Sequence, residues 1–291
     1  MEAGQGESTP AILVVSFGTS YNESRKLTIE AVERDVALAF PECQVSRAFT
    51  SPTIIKLLRD RDGIVVDNVA QALDRAAAAG IRNLVVQPTH LMDGFEYHGV
   101  VRQVEEHREL FDQITVGRPL LSGKEDFTAV ARAVIDDTRK YSDGQSAMVF
   151  MGHGTEARSN QVYEKLQKTF GEEGSRHCYI GTVEAKPSIE DVAAALKKKG
   201  IYRKVVLSPL MLVAGDHANN DMAGDGKDSW KTVLVREGYE TECRIRGLGE
   251  LKAVRKIYVD HAGEALGLLC SPGKARKTGR ICHRVPLPGN G

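Results

Sequence analysis

Short apolar, β-branched runs alternate with longer amphipathic stretches along this chain, and that alternation restricts its fold more than any single residue does. Residues 11–17, 44–48, 83–87, 146–151, 177–182 and 204–208 read as strands. Residues 23–39, 64–79, 96–110, 124–140, 160–170, 188–199 and 251–266 read as helices, several of them stopped by a glycine such as Gly80, Gly171 or Gly200. Strands and helices taken in turn predict parallel sheets with helices on both faces. In such folds ligands gather at the carboxyl ends of the strands.

The pattern also repeats. Val14-Val15-Ser16-Phe17-Gly18-Thr19-Ser20 parallels Val149-Phe150-Met151-Gly152-His153-Gly154-Thr155, with Phe17 opposite His153. Arg82-Asn83-Leu84-Val85-Val86-Gln87-Pro88 parallels Arg203-Lys204-Val205-Val206-Leu207-Ser208-Pro209, which sets Gly94 opposite Gly215 and Glu96 opposite His217. The expectation is therefore an α/β protein of two similar lobes, each a parallel sheet flanked by helices, with a cleft between them. We assign residues 8–122 to the first lobe, 123–266 to the second, and 267–291, basic and rich in Gly and Pro, to a flexible tail.

Charge and composition remove several function classes. Lys plus Arg and Asp plus Glu are 39 each, so no cationic excess recommends a nucleic-acid or anionic-membrane surface. No apolar run approaches the roughly 20 residues of a membrane helix. The first ten residues lack a signal-peptide pattern, and a soluble, cytoplasmic protein is expected. Cys43, Cys178, Cys243, Cys270 and Cys282 are scattered and odd in number, which fits reduced thiols. Neither a dinucleotide nor a P-loop fingerprint is complete around Gly18-Thr19-Ser20 or Gly154-Thr155, so no nucleotide is expected. HExxH and GxSxG are absent as well.

Three residues past strand ends of the second half could carry chemistry. His153 sits between two glycines directly after an apolar strand, where it is either a turn histidine or an exposed reactive group. His217 follows the strand ending at Pro209, with Asp216 and Asn220 placed to orient its ring; the alternative is a solvated histidine beside a helix cap. Glu184 follows the strand ending at Thr182, and its alternative is a surface carboxylate before the helix that Pro187 opens. Together they form a His2Glu set suited to Co, Fe, Ni or Zn. In the first half, Thr89, His90, Leu91 and Glu96 mix polar and apolar groups as a flat aromatic ligand would require, although Asp93 and Glu96 could equally be a helix cap. His98 reads as a surface residue, with an interface histidine or a ligand to a bound haem as the alternatives.

These segments resemble a known family. Ile12 to Ser20, Pro88-Thr89-His90, Met151-Gly152-His153-Gly154-Thr155 and the run Ser208 to Met222, which contains Ala214-Gly215-Asp216-His217-Ala218-Asn219-Asn220-Asp221, are similar to the anaerobic sirohydrochlorin cobaltochelatases, the CbiK-type class II chelatases. The likeness runs from about Ala11 to Leu266. It implies two chelatase-type lobes around a tetrapyrrole cleft, with metal-binding positions on His153, Glu184 and His217. The activity implied is a lyase-type insertion of Co2+ into sirohydrochlorin for cobalamin biosynthesis, the same three residues being catalytic and His153 taking a proton from the ring. Phe17, Leu91, Leu210 and Leu212 would grip the macrocycle. Gly18, Thr19, Ser20, Thr89, His90 and Glu96 would meet its polar parts. Fe2+ insertion for sirohaem, a non-catalytic tetrapyrrole or metal carrier and a metal-dependent hydrolase are the alternatives, and a homo-oligomer is left open.

Overall fold

Alternation along a single strand decides how the layers are stacked. In β1 (Ala11–Ser16), Ile12 and Val14 point into one apolar cluster while Ala11, Leu13 and Val15 point into another, because successive side chains leave opposite faces of a sheet. Both clusters are buried, so this sheet is covered on each side, as an all-parallel sheet must be.

The computed structural model describes residues 9–269. After β1 come α1 (Asn22–Leu27), α2 (Ile29–Ala39), β2 (Gln44–Phe49), α3 (Pro52–Asp62), α4 (Val69–Ala78), β3 (Asn83–Pro88), α5 (Phe95–Glu106) and β4 (Gln113–Val116). The second half runs α6 (Lys124–Thr138), β5 (Ser146–Gly152), α7 (Gln161–Glu172), β6 (Cys178–Thr182), α8 (Ile189–Lys199), β7 (Lys204–Pro209), α9 (Trp230–Arg236), β8 (Glu240–Cys243) and α10 (Lys252–Leu269). Strand orders are β2-β1-β3-β4 and β6-β5-β7-β8, parallel throughout. The two sheets therefore share one topology, and each has its strand order reverse beside its first strand, where a parallel sheet opens a crevice.

Several elements differ from the sequence reading. The edge strands β4 and β8 are four residues each and only half buried, so they lack the apolar run that marks an interior strand. The helix expected over 64–79 begins later, at Val69, where Asn68 and Gln71 cap each other's backbone. Ahead of it lies the unexpected α3, opened by Pro52 after the Ser51 cap and closed by Gly63 at φ 66°. A second unexpected helix, α9, is capped by Ser229. The stretch 23–39 breaks at Thr28, whose hydroxyl donates back to the Ser24 carbonyl and leaves α1 and α2 separate. The helix expected over 251–266 runs from Lys252 through Gly267 to a buried Leu269. The remainder of the expected tail, with Cys270 and Cys282, lies outside the described residues. Cys178 and Cys243 are free thiols.

The lobes share a core. One cluster joins Ile12, Val14 and Val85 of the first sheet to Met148, Phe150 and Val206 of the second through Val32 on α2, Phe127 and Val130 on α6, and Tyr258 on α10. Helix α10, the last of the described elements, packs on β3, β4, α2 and α6. Its Tyr258 is fully buried and donates to the Thr89 carbonyl at 2.9 Å. Tyr258→Phe strands that carbonyl without a partner, and the expected cost is about 1–2 kcal/mol in urea denaturation; a change under about 0.3 kcal/mol would show that the tie contributes nothing. No helix among the described residues is long and apolar enough to cross a membrane.

Candidate metal centre

The apolar strand β5 delivers its chain to the sheet edge and then must turn sharply. Gly154 makes the turn at φ +87°, a region that L side chains avoid, and a methyl there would sit 2.8 Å from Thr182 Cβ and 3.0 Å from the Ala185 nitrogen. Such close approach lets the loop after β6 zip onto the loop after β5. The Val183 and Glu184 amides both donate to the His153 carbonyl, at 3.1 and 2.9 Å. Behind them the buried Tyr163 hydroxyl accepts from the Gly154 amide at 3.3 Å. Backbone contacts thus fix His153 and Glu184 side by side, and their side chains, about half exposed, come within 3.5 Å at His153 Nδ1 and Glu184 Oε2.

His217 arrives from the third strand end. Beyond β7 the chain loops to a short π-helical turn, Ala218–Met222, preceded by His217. His217 Nδ1 lies 2.6 Å from Asp221 Oδ2. A carboxylate only accepts, so Nδ1 carries the proton and Nε2 keeps its lone pair for a ligand. This corrects the expectation that Asp216 and Asn220 orient the ring: Asn220 Nδ2 donates to Asp216 Oδ1 at 2.7 Å and neither group holds His217. Spacing of four residues in a helical turn was the available signal for Asp221. The His153 and His217 rings meet edge to face with centroids 4.8 Å apart.

One donor atom each from His153, Glu184 and His217 lies within 4.8 Å of the others. Ligands around a single tetrahedral ion stand about 3.3 Å apart for metal–nitrogen distances near 2 Å. The set is therefore somewhat wide for a single ion, and two of its three residues are exposed, so a second reactant can reach it. Two neutral imidazoles and a carboxylate suit a borderline divalent ion.

The first-lobe residues fare unevenly. Phe17 is 49% exposed at the end of β1, next to Gly18 at φ +101°. Thr19 is buried, accepts from the Tyr21 amide and faces Gly215 of the other lobe. Ser20 offers its carbonyl to Arg61. Glu96 is exposed and accepts from Thr50 Oγ1 at 3.0 Å. Leu91 and Leu212 are partly buried against the shared core. Two of the expected macrocycle contacts are committed elsewhere: Leu210 has no exposed surface, and Thr89, 2% exposed, spends its hydroxyl on Ser16 Oγ at 2.8 Å. Both follow directly on strands whose ends are still inside the core, so their side chains fill it. His90 lies just past that point with both ring nitrogens buried and unpartnered among the described residues, and burial lowers its pKa to about 4. His98, half exposed, pairs with Asp93 at 2.6 Å.

With this geometry established, comparison with known proteins is specific. The family model described as Cobalt chelatase (CbiK) matches residues 10–267. The chain belongs to the CbiK family. A sirohydrochlorin cobaltochelatase of Salmonella typhimurium is 40% identical over 258 residues, spanning 89% of this chain and 97% of that protein. The sirohydrochlorin cobaltochelatase CbiKC of Nitratidesulfovibrio vulgaris is 32% identical over 260 residues, spanning 89% and 91%. Among solved structures, SirB from Bacillus subtilis with Fe3+ superposes with a TM-score of 0.62 at 15% identity, covering 89% of this chain and 96% of that one. At that identity the match concerns the fold, two parallel sheets flanked by helices, and the expected chelatase-type architecture is the one observed.

Proposed function

We infer that this chain is a sirohydrochlorin cobaltochelatase, a lyase that inserts Co2+ into sirohydrochlorin with loss of two pyrrole protons on the route to cobalamin. The observation that carries this reading is the convergence of His153, Glu184 and His217 at three neighbouring strand ends of one sheet, in a CbiK-family chain. In this reading residues 123–266 supply the metal half of the site and residues 8–122 the half that faces the ring. Co2+ is a substrate here. The three donors hold it through few bonds, so that ring nitrogens replace them one at a time as water leaves. His153, released from the ion, accepts the two pyrrole protons in turn, and Glu184 at 3.5 Å passes each to solvent. Exposed Phe17 meets the ring face, Gly18 lets the backbone approach closely, and Ser20, His90, Leu91, Glu96 and Leu212 line the approach. The same proposal has the protein working in the cytoplasm without nucleotide, nucleic acid or membrane.

The test is anaerobic absorbance spectroscopy with catalytic enzyme and excess sirohydrochlorin, run with Co2+ and again with Fe2+. Many turnovers with Co2+ are expected. Stoichiometric metal release alone would make the protein a carrier, and a faster reaction with Fe2+ would make it a ferrochelatase. Asp221→Ala should weaken Co2+ binding by about 10–100-fold, since it frees the ring that the carboxylate holds. A Co2+ titration reads this directly, and unchanged affinity would remove Asp221 from the site.

A further inference from the structure

A tetrapyrrole that carries several peripheral carboxylates meets an acidic neighbourhood here, and this raises the question of which cation receives them. Glu184 is itself one of the three donors, Asp216 and Asp221 flank His217, and Asp93 and Glu96 lie just before and at the start of α5 in the first lobe. Glu156, exposed on the loop after His153, has no ion-pair partner among the described residues. Two cations that belong to or touch these strand-end loops are already engaged. Lys186 pairs with Asp191 at 2.8 Å, and Arg61 pairs with Asp62 at 2.6 Å.

Arg158 differs from both. It is exposed, five residues beyond His153, and among the described residues its side chain has neither an ion-pair nor a hydrogen-bond partner. Its loop is nevertheless well fixed. Asn160 accepts from the Thr155 amide at 3.1 Å and donates to the Lys186 carbonyl at 2.8 Å, while Thr155 Oγ1 accepts from the Ala157 amide at 3.2 Å. The loop also reaches the other lobe, because a methyl on Gly94 would lie 3.6 Å from Ser159 Oγ. That hydroxyl is buried and has no partner among the described residues. An unpaired guanidinium is thus held by a braced loop where the metal half meets the ring-facing half.

We propose that Arg158 is a specificity-determining residue that binds a peripheral carboxylate of the macrocycle, an inference that rests on the chelatase reading. Guanidinium and carboxylate match as a bidentate pair, and a braced loop reduces the ordering that such a pair requires. The contact lies at the ring's edge and not at the reacting nitrogens, so it sets ring affinity and leaves the insertion step unchanged.

Sirohydrochlorin binding without metal, followed by ring fluorescence at two salt concentrations, tests this in Arg158→Ala and Arg158→Lys beside the wild type. The dissociation constant should rise about tenfold in the alanine variant and less in the lysine variant, the loss expected of one charge-assisted pair. The salt dependence of ring binding should flatten in the alanine variant. Turnover at saturating ring and Co2+ affinity should stay within about twofold, because uniform binding affects KM alone. Unchanged ring affinity overturns the proposal, as does a joint fall in turnover, Co2+ affinity and melting temperature, which would mark a structural role. Wild-type protein that binds no ring refutes the chelatase reading instead, and that result is obtained before any variant is measured.

Discussion

His153→Ala is expected to abolish multiple-turnover cobalt insertion, lowering the rate by about 10²–10⁴-fold, the span that a positioned acid–base group contributes. In the proposed mechanism the substitution removes one of three metal donors and the base nearest the incoming ring, and it spares what builds the loop. Val183 and Glu184 bond to the His153 carbonyl, a backbone group that alanine retains. The lost side chain is about half exposed, so stability should change by no more than about 0.5 kcal/mol. Absorbance assays and thermal melts on the same preparation separate the two effects. Turnover above about a third of wild type, with melting unchanged, would remove His153 from the centre of the reaction and leave the assignment of His217 and Glu184 without its partner.

The second large effect is on acid stability and comes from His90. Burial holds its imidazole neutral down to about pH 4 in the folded protein, whereas the unfolded chain protonates it near 6.5. The unfolded state therefore takes up the proton first. Stability is complete above about pH 6.5, declines as the pH falls towards 4, and levels off below it, a loss of about 3 kcal/mol in all. At pH 4.5 most of it, about 2–3 kcal/mol, should be visible in urea denaturation of the metal-free protein. His90→Gln removes the titration, so its stability should decline less between pH 7.5 and 4.5 by that amount, whatever its absolute value at neutral pH. Parallel pH profiles for variant and wild type would show that His90 finds a hydrogen-bond partner on protonation. A second decline lies lower. Although burial opposes it, hydrogen bonds from His261 and the Gly123 amide, with the Arg118 charge nearby, bring the Asp126 carboxyl down to about 2, so its contribution is complete above about pH 4 and is lost progressively as the pH falls from there to about 2.

Much of this molecule can be read residue by residue along the chain. Interior strands such as β1 and β5 are wholly buried, so they are apolar throughout and cannot be mistaken for loops. Gly18 and Gly154 repeat at equivalent strand ends because each adopts a positive φ where a side chain would also collide with a neighbour. Edge strands and short capped helices were harder to read, since β4, β8, α3 and α9 bury only part of each element and leave a pattern close to that of a loop. Burial of Leu210 and Thr89 was not legible either, because a residue just past a strand looks the same whether the strand ends at the surface or inside the core.

By itself the sequence determined two α/β halves of the same plan, their inner strands, and the strand-end loops from which His153, Glu184 and His217 emerge. Those properties depend on neighbours within a few positions, through the periodicity of apolar side chains and the steric demands of glycine. Only the tertiary structure decided that these three residues, each more than thirty positions from the next, bring their donor atoms within 4.8 Å. It also chose Asp221 over Asp216 as the partner of His217, and returned α10, the last of the described elements, to the first sheet. Such choices depend on parallel strand order, on the wider pitch of one helical turn and on a core shared by both lobes, and each of these is a contact between residues that are remote along the chain.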